Sequence, residues 1–354
     1  MLANGEPSFG LSIIIPNYNY QEFIGLAIDS ALAVDWPRVQ VIVVDDGSTD
    51  RSREVIEGYR GRVQIVHQAN AGQLEAYNVG FRLATEEVVI FLDSDDLLEP
   101  QVMREVASLW RPGVSKVQYR MRTIDAGGQP LGNVIPQFHG VPTPEDIRHW
   151  AATTTAYPTP PGSGNAYARA YLAQIFPLDD SCGRPGDASC LAAAPFLGDV
   201  LTIPHVLGCY RIHGRNDGAA SRLDVKQFQL HVVRAQQRHA YARRIAQRVG
   251  IDIKPDAING SLSYLPYRLA SLRLEPQTHP IPGDSAGAVW LDVVQALFKP
   301  QGMSAKGKTA IGVWTTLVAL LPRKAGNRLI LWRFVPAARP QALRTALSRL
   351  GVIR

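Results

Sequence analysis

Apolar residues arrive in short unbroken runs along the first hundred positions, and each run ends abruptly in polar residues. Leu11-Ser12-Ile13-Ile14-Ile15 is closed by Pro16-Asn17-Tyr18-Asn19, Val39–Val44 by Asp45-Asp46-Gly47-Ser48-Thr49-Asp50, and Val88–Leu92 by Asp93-Ser94-Asp95-Asp96; Val63–Val66 is a fourth, shorter run. Runs this short, rich in β-branched residues and without polar alternation, predict strands buried on both faces, as in a parallel sheet. Between them the spacing turns helical, over Glu22–Leu32 (Phe23, Leu26, Ala27, Ser30, Ala31), Arg51–Tyr59 and Leu74–Ala84. Strand and helix in alternation predict a doubly wound α/β fold. Further on, the pattern predicts a helix over Pro100–Trp110, a strand over Ser115–Met121, a turn at Gly127-Gly128, a Pro-rich excursion over Gln137–Glu145 on the acceptor side, and a strand over Val200–Ile203. Ser221–Val249, through Val225, Phe228, Val232, Ala235, Ala242, Ile245 and Val249, reads as a long helix with a basic outer face.

In open α/β sheets, ligands collect beyond the carboxyl ends of the strands, so the acidic endings are where chemistry is expected. Asp93 and Asp95 offer hard oxygen ligands suited to Mg²⁺ or Mn²⁺, an ion that usually also holds substrate phosphate oxygens. The alternative is that Asp93-Ser94-Asp95-Asp96 only caps the helix after it. No G-x-G-x-x-G follows any of these strands and no G-x-x-x-x-G-K-[ST] occurs, so the common dinucleotide and P-loop solutions are excluded. Pro160-Pro161-Gly162-Ser163-Gly164-Asn165-Ala166 gathers small residues where backbone approaches something closely, or else forms a surface loop.

Composition adds an asymmetry. The 354 residues carry a net charge of +6, but from Ala219 onward 21 Lys and Arg face 6 Asp and Glu, whereas the part before holds 16 and 25. After Asp292 there is no acidic residue; Lys299, Lys306, Lys308, Arg323, Lys324, Arg328, Arg333, Arg339, Arg344, Arg349 and Arg354 alternate with Trp, Leu, Ile and Phe. Such a tail suits an anionic membrane surface, the alternative being an ordinary helical bundle. Thr309–Pro322 is uncharged but shorter than the roughly 20 residues a bilayer span needs, so attachment rather than spanning is expected. Confinement of the charge to this tail argues against a nucleic-acid groove. Cys182, Cys190 and Cys209 are odd in number and lack metal-ligand spacing, and Met1–Gly10 lacks a signal-peptide pattern, which together place the protein in the cytoplasm.

Four motifs in order carry a resemblance: Ser12–Asn19, Val44–Asp50, Asn70-Ala71-Gly72 with Asn78-Val79-Gly80, and Phe91–Asp96. Together they resemble the family 2 glycosyltransferases of GT-A fold, over roughly Leu11 to Asn216. The resemblance implies inverting transfer of a sugar from a nucleotide donor, a UDP-sugar first among them, with Mn²⁺ or Mg²⁺, onto a glycan or lipid-linked acceptor in cell-surface polysaccharide or glycolipid synthesis. It implies a base contact at Asp46, a glycine-bearing loop at the donor sugar, and donor contacts from Pro16, Tyr18, Asn19, Gly72, Gln73, Asn78, Asp93, Ser94, Gly164, Asn165 and Arg211. Metal ligands would be Asp93, Asp95, which lies nearest the diphosphate, and His213, which could equally touch the diphosphate or be structural. Asp187 matches the family's catalytic base, although Gly186 precedes it where Glu is usual; Asp179, Asp180 and Asp199 compete, and capping of its own helix is the other role. Cys209–Asn216 resembles the family's closing motif, in which Arg211 or Arg215 would offset diphosphate charge. A catalytic domain at 3–218 and a basic helical region at 219–354 follow. Two rivals stand beside this. A sugar nucleotidyltransferase needs a Gly-rich basic loop after its first strand, which Pro16–Asn19 is not; a non-catalytic nucleotide-sugar or glycan-binding scaffold would need no base.

Overall fold

The computed structural model describes residues 9–183, 185–214, 224–335, 338–342 and 345. Arg215, Asn216, the 218/219 boundary, Arg344, Arg349 and Arg354 lie outside the described residues. Two compact units emerge, one within 1–148, 158–213 and 248–250, the other within 149–157, 214–247 and 251–354.

The first unit begins with β1 (Leu11–Asn17), α1 (Ile24–Leu32), β2 (Val39–Asp45), α2 (Ser52–Glu57), β3 (Gln64–His67), α3 (Gln73–Leu83) and β4 (Val88–Phe91). There follow β5 (Leu97–Leu98), α4 (Val102–Leu109), β6 (Val114–Ile124), β7 (Pro130–Ile135), α5 (Pro144–Thr154), β8 (Asn165–Ala168), α6 (Arg169–Leu172), α7 (Asp187–Leu197) and β9 (Asp199–Arg211). The strands make one sheet in the order β3-β2-β1-β4-β8-β6-β9-β5, with β7 on β6. Pairing is parallel from β3 through β4, where the apolar runs lie, and mixed beyond.

Double winding follows from β1 being buried along its whole length. Leu11, Ile13 and Ile15 share a core with Ile24, Ala27 and Ile28 of α1. On the opposite face Ile14 meets α3 at Gly80, where a Cβ would stand 2.3 Å from Ile14 Cγ2. Alanine in a helix interior gains about 1 kcal/mol over glycine, but overpacking a tight core costs about 1–3 kcal/mol. Gly80→Ala is therefore expected to lower the denaturant midpoint, and an unchanged or higher midpoint would show that Ile14 yields freely.

The chain visits β2 and β3 on one side of β1, then crosses to β4 on the other. That reversal opens a crevice at the carboxyl ends of β1 and β4, the position where such sheets bind ligands.

The second unit is helical: α8 (Val225–Arg248), α9 (Leu265–Leu274), α10 (Ala286–Leu297), α11 (Ala305–Leu320) and α12 (Arg323–Phe334). Phe228, Val232, Leu265, Leu269, Val289, Val293, Ile311, Val318 and Ile330 form its core. Among the described residues no helix is long and apolar enough to cross a membrane.

Candidate active site

The loop leaving β4 puts its carboxylates at the crevice. Asp96 is fully buried and tied on both oxygens, accepting the Arg211 backbone N–H at 2.9 Å and the Ser163 hydroxyl at 2.7 Å. The same Ser163 oxygen accepts the backbone N–H of Asp93 at 3.0 Å, and Ser94 donates to the Pro16 carbonyl at 2.6 Å. Four bonds thus fix this loop to β1, to β9 and to the Gly162–Gly164 turn. The helix-cap alternative does not hold: β5 intervenes, and α4 starts after Gln101 with no side chain capping it.

Asp187 is the first residue of α7, directly after Gly186, which has no side chain with which to cap the helix. The turn beside it explains a glycine. A Cβ on Gly162 would stand 3.2 Å from Asp187 Oδ2, so the backbone passes directly against this carboxylate. Gln73, at the start of α3, accepts the Gly186 N–H at 3.1 Å and so positions the entry to α7. Of the competitors, Asp199 pairs with Arg111 and Arg148 at 2.8 and 2.9 Å, which holds its carboxyl below the usual range despite partial burial.

Charge confirms the crowding. Burial, then the charges of Asp96, Asp95 and Asp187, push the Asp93 carboxyl well above the ordinary range. Burial and Asp95 push Asp96 up to about 8, against the Arg211 N–H and Ser163 hydroxyl that favour its anion. Beneath them the Tyr77 phenol, stacked on Phe91 at 4.3 Å, is raised by burial, Asp93 and Asp187. Carboxylates that raise one another in this way would be eased by a cation. Hard oxygens of this kind suit Mg²⁺ or Mn²⁺, which are often held by one or two carboxylates plus substrate phosphates. Among the described residues no three His, Cys, Asp or Glu side chains are grouped to hold an ion alone. His213 instead sets Nε2 2.9 Å from Asp95 Oδ2 while its ring stacks on Phe23 at 5.0 Å.

Several residues expected to touch a donor also have partners within the protein. Asp46, almost buried, accepts from Gln68 Nε2 and from the backbone N–H groups of Ala71 and Gly72 at 2.7–2.8 Å, locking the β3–α3 loop against the end of β2. Gly72 can turn there because it adopts φ +89, a region glycine alone enters cheaply. Asn78 exchanges two hydrogen bonds with the backbone of Leu178. Asn19, at φ +60, accepts the N–H of Thr49 at 2.7 Å. Gly164 is packed against Pro160 and Met121. Arg211 is 1% exposed and donates to the carbonyls of Asp95 and Ala126 at 2.8 and 3.1 Å, beneath the ring of Phe23. Through these bonds and the one from its backbone N–H to the Asp96 carboxylate it holds the Asp95-Asp96 loop in place. Tyr18, by contrast, is exposed beside the Asn17–Asp46 backbone bond.

Two residues escaped the sequence reading. Ser163, in sequence one small residue among several, links Asp93 to Asp96. Lys116 is wholly buried, and its ammonium reaches Thr159 Oγ1 at 2.9 Å and Asn165 Oδ1 at 2.7 Å, while Asn165 Nδ2 donates to the Pro161 and Gly162 carbonyls. Burial draws its pKa well below the lysine norm, with Asp187 pulling the other way. The available signal was a lone charge inside the strand pattern Val114-Ser115-Lys116-Val117.

The sequence model described as Glycosyl transferase family 2 matches residues 12–176. An uncharacterized glycosyltransferase of Nostoc sp. is 36% identical over 214 residues, 58% of this chain and 66% of its own length. EpsJ of Bacillus subtilis, also an uncharacterized glycosyltransferase, is 36% identical over 99 residues, 27% of this chain and 29% of its own. The chain therefore spans less than two thirds of these relatives. Among solved structures, S. aureus TarS 1-349 in complex with UDP-GlcNAc superposes with a TM-score of 0.51 at 16% identity, covering 92% of this chain and 91% of that one. At that identity the likeness shows the fold.

Proposed function

We propose, from the match of residues 12–176 to the Glycosyl transferase family 2 model, that the chain moves a sugar, with inversion, from a nucleoside diphosphate sugar to a hydroxyl acceptor. The observation that carries this reading is the gathering of Asp93, Asp95, Asp96 and Asp187 at the strand ends, with the Gly162 backbone against Asp187. Buried carboxylates cost stability unless they are hydrogen-bonded, paired or ligate a metal, and here the surplus negative charge matches a cation carrying a diphosphate.

In this account the acceptor hydroxyl gives its proton to an Asp187 oxygen as its own oxygen attacks the anomeric carbon. The bond from that carbon to the diphosphate breaks on the opposite face, and the electron pair leaves with the nucleotide. A positioned base of this sort contributes about 10²–10⁴-fold. Mn²⁺ or Mg²⁺ on Asp93 and Asp95 would supply Lewis-acid stabilisation of the leaving diphosphate, worth several kcal/mol. Asp46, Gln73, Asn78, Asn165 and Arg211 act at one remove, each fixing a loop that lines the crevice; His213 orients Asp95. The UDP-GlcNAc held by TarS supports a UDP-sugar as first donor to try. The acceptor is a glycan or lipid-linked hydroxyl, met on the cytoplasmic side of the cell surface.

The direct test is nucleotide release from UDP-, GDP-, dTDP- and CMP-linked sugars in Mn²⁺. Turnover of one donor class is expected. Saturable binding of a donor without release, with and without candidate acceptors, would favour the scaffold reading instead.

A further inference from the structure

Among the described residues of the second unit, most of the exposed large apolar side chains lie along one face, with Leu230 of α8 a separate instance. On α10 the outward positions are Ala288, Leu291, Gln295 and, just past its end, Phe298; on α11 they are Thr309, Val313, Leu317 and Leu320. Each set repeats at three or four residues, which makes a single stripe along each helix. The helices lie side by side and antiparallel: Trp290 Nε1 donates to Thr316 Oγ1 at 3.0 Å, and Gly312 lets Leu297 in. Their stripes therefore form one continuous face without a charge on it. Phe298 is 85% exposed and Leu320 79%, extreme values for side chains that would each gain about 1.5–3 kcal/mol by burial.

What borders that face decides what covers it. At the end marked by Phe298 stand Lys299, Lys306 and Lys308; at the end marked by Leu320 stand Arg323 and Lys324. Lys306, Arg323 and Lys324 are exposed, and no acidic residue occurs beyond Asp292. A second copy of the chain laid on this face would confront like charges with like. An anionic sheet of headgroups over an apolar layer answers both features at once, since interfacial binding scales with buried apolar area plus attraction between basic residues and anionic lipid.

We propose that the outer face of α10 and α11, centred on Leu291, Phe298, Val313, Leu317 and Leu320 and framed by Lys306, Arg323 and Lys324, is a docking surface for an anionic phospholipid bilayer. This goes beyond the transferase reading and stands whether or not that reading does. The apolar stripe enters the headgroup boundary while the basic residues remain at phosphate level.

The test is co-sedimentation of the full chain with vesicles of phosphatidylcholine alone and with vesicles in which about one lipid in three is phosphatidylglycerol. Phe298→Gln/Leu320→Gln removes the apolar contact and Lys306→Glu/Lys324→Glu reverses charge; both change exposed side chains, and thermal melts check that each variant is folded. Wild type is expected to bind the anionic vesicles and to lose binding as salt rises. Each variant should bind at least about tenfold more weakly, since one basic residue near the surface is worth roughly fivefold. Equal binding to neutral and anionic vesicles, wild-type binding by the folded Phe298→Gln/Leu320→Gln variant, or a concentration-dependent dimer that this variant abolishes without any vesicle binding by wild type, would each overturn the proposal.

Discussion

Asp187→Asn is expected to lower kcat by about 10²–10⁴-fold, the usual contribution of a positioned general base, while nucleotide affinity is preserved. The amide keeps the shape of the carboxylate, so the Gly162 turn and the start of α7 need not move, but it cannot take a proton. Stability should respond in the opposite sense to activity. Asp187 is one of the charges that push Asp93 upward, so removing it relieves repulsion in the carboxylate cluster, and the melting temperature should hold or rise. Such a trade of stability for a strained charge cluster is characteristic of working sites. Parallel measurement of kcat, nucleotide affinity and melting temperature checks all three parts; undiminished kcat would take the base role from Asp187.

The second large effect lies far from this chemistry. In the helical unit Arg268 donates to both oxygens of Asp284 at 2.7 and 2.8 Å and to Asp292 at 2.7 Å, and the Asp284 side chain is 1% exposed. His279 joins the group, 3.1 Å from Asp284 and 2.9 Å from Ser271 Oγ. Breaking a buried ion pair costs about 3–5 kcal/mol when the other charge is left unpaired, and Arg268, which keeps Asp292, places this change at the lower end. Asp284→Asn should therefore destabilise the protein by that order in denaturant melts, and Asp284→Asn/Arg268→Met should recover part of the loss.

The same group fixes a pH dependence. Burial would raise the Asp284 carboxyl, but Arg268 and His279 more than offset it and the net direction is down. A depressed carboxyl contributes stability that is present above its unfolded value, near 4, and lost as pH falls through the folded value. Burial also lowers His279, against the pull of Asp284. The folded state then resists a proton that the unfolded chain takes up below about pH 6.5, so stability falls with pH there as well. Acidification from pH 7 should thus weaken this unit in two stages, first through His279 and then through Asp284, and His279→Gln should flatten the first.

Strands β1, β2 and β4 were legible because each is a run of largely buried, mostly β-branched residues, a pattern that survives without tertiary information, whereas β3 is a short Gln-Ile-Val-His segment with no fully buried residue. Other strands owe their state to neighbours. β8 is Asn165-Ala166-Tyr167-Ala168, with no β-branched residue, and it is a strand because β4 and β6 hold it from both sides. β9 reads from the sequence as Val200–Ile203 but runs from Asp199 to Arg211, passing Pro204 and Gly208 through register shifts against β6. In the site, the acidic endings and Asp187 could be gathered from ordered motifs. The employment of Asn78 could not, since its partner Leu178 lies 100 residues away. Nor could that of Arg211, whose charge suggested a phosphate and whose burial assigns it to backbone carbonyls. A side chain's type limits its chemistry, and only its surroundings choose among the options.

Donor binding in the proposed reaction depends on a diphosphate held by Asp93 and Asp95 with a divalent cation. The measurement that addresses this most directly is the melting temperature of wild type and Asp95→Asn with UDP, GDP, dTDP or CMP, each with and without Mn²⁺. Ligand that binds only the folded state at about 100 times its Kd adds about 2.7 kcal/mol, enough for a shift of several degrees. The account predicts a shift with one nucleotide that requires Mn²⁺ and is lost in Asp95→Asn. A shift equally large without the cation, or retained in full by the variant, would contradict it.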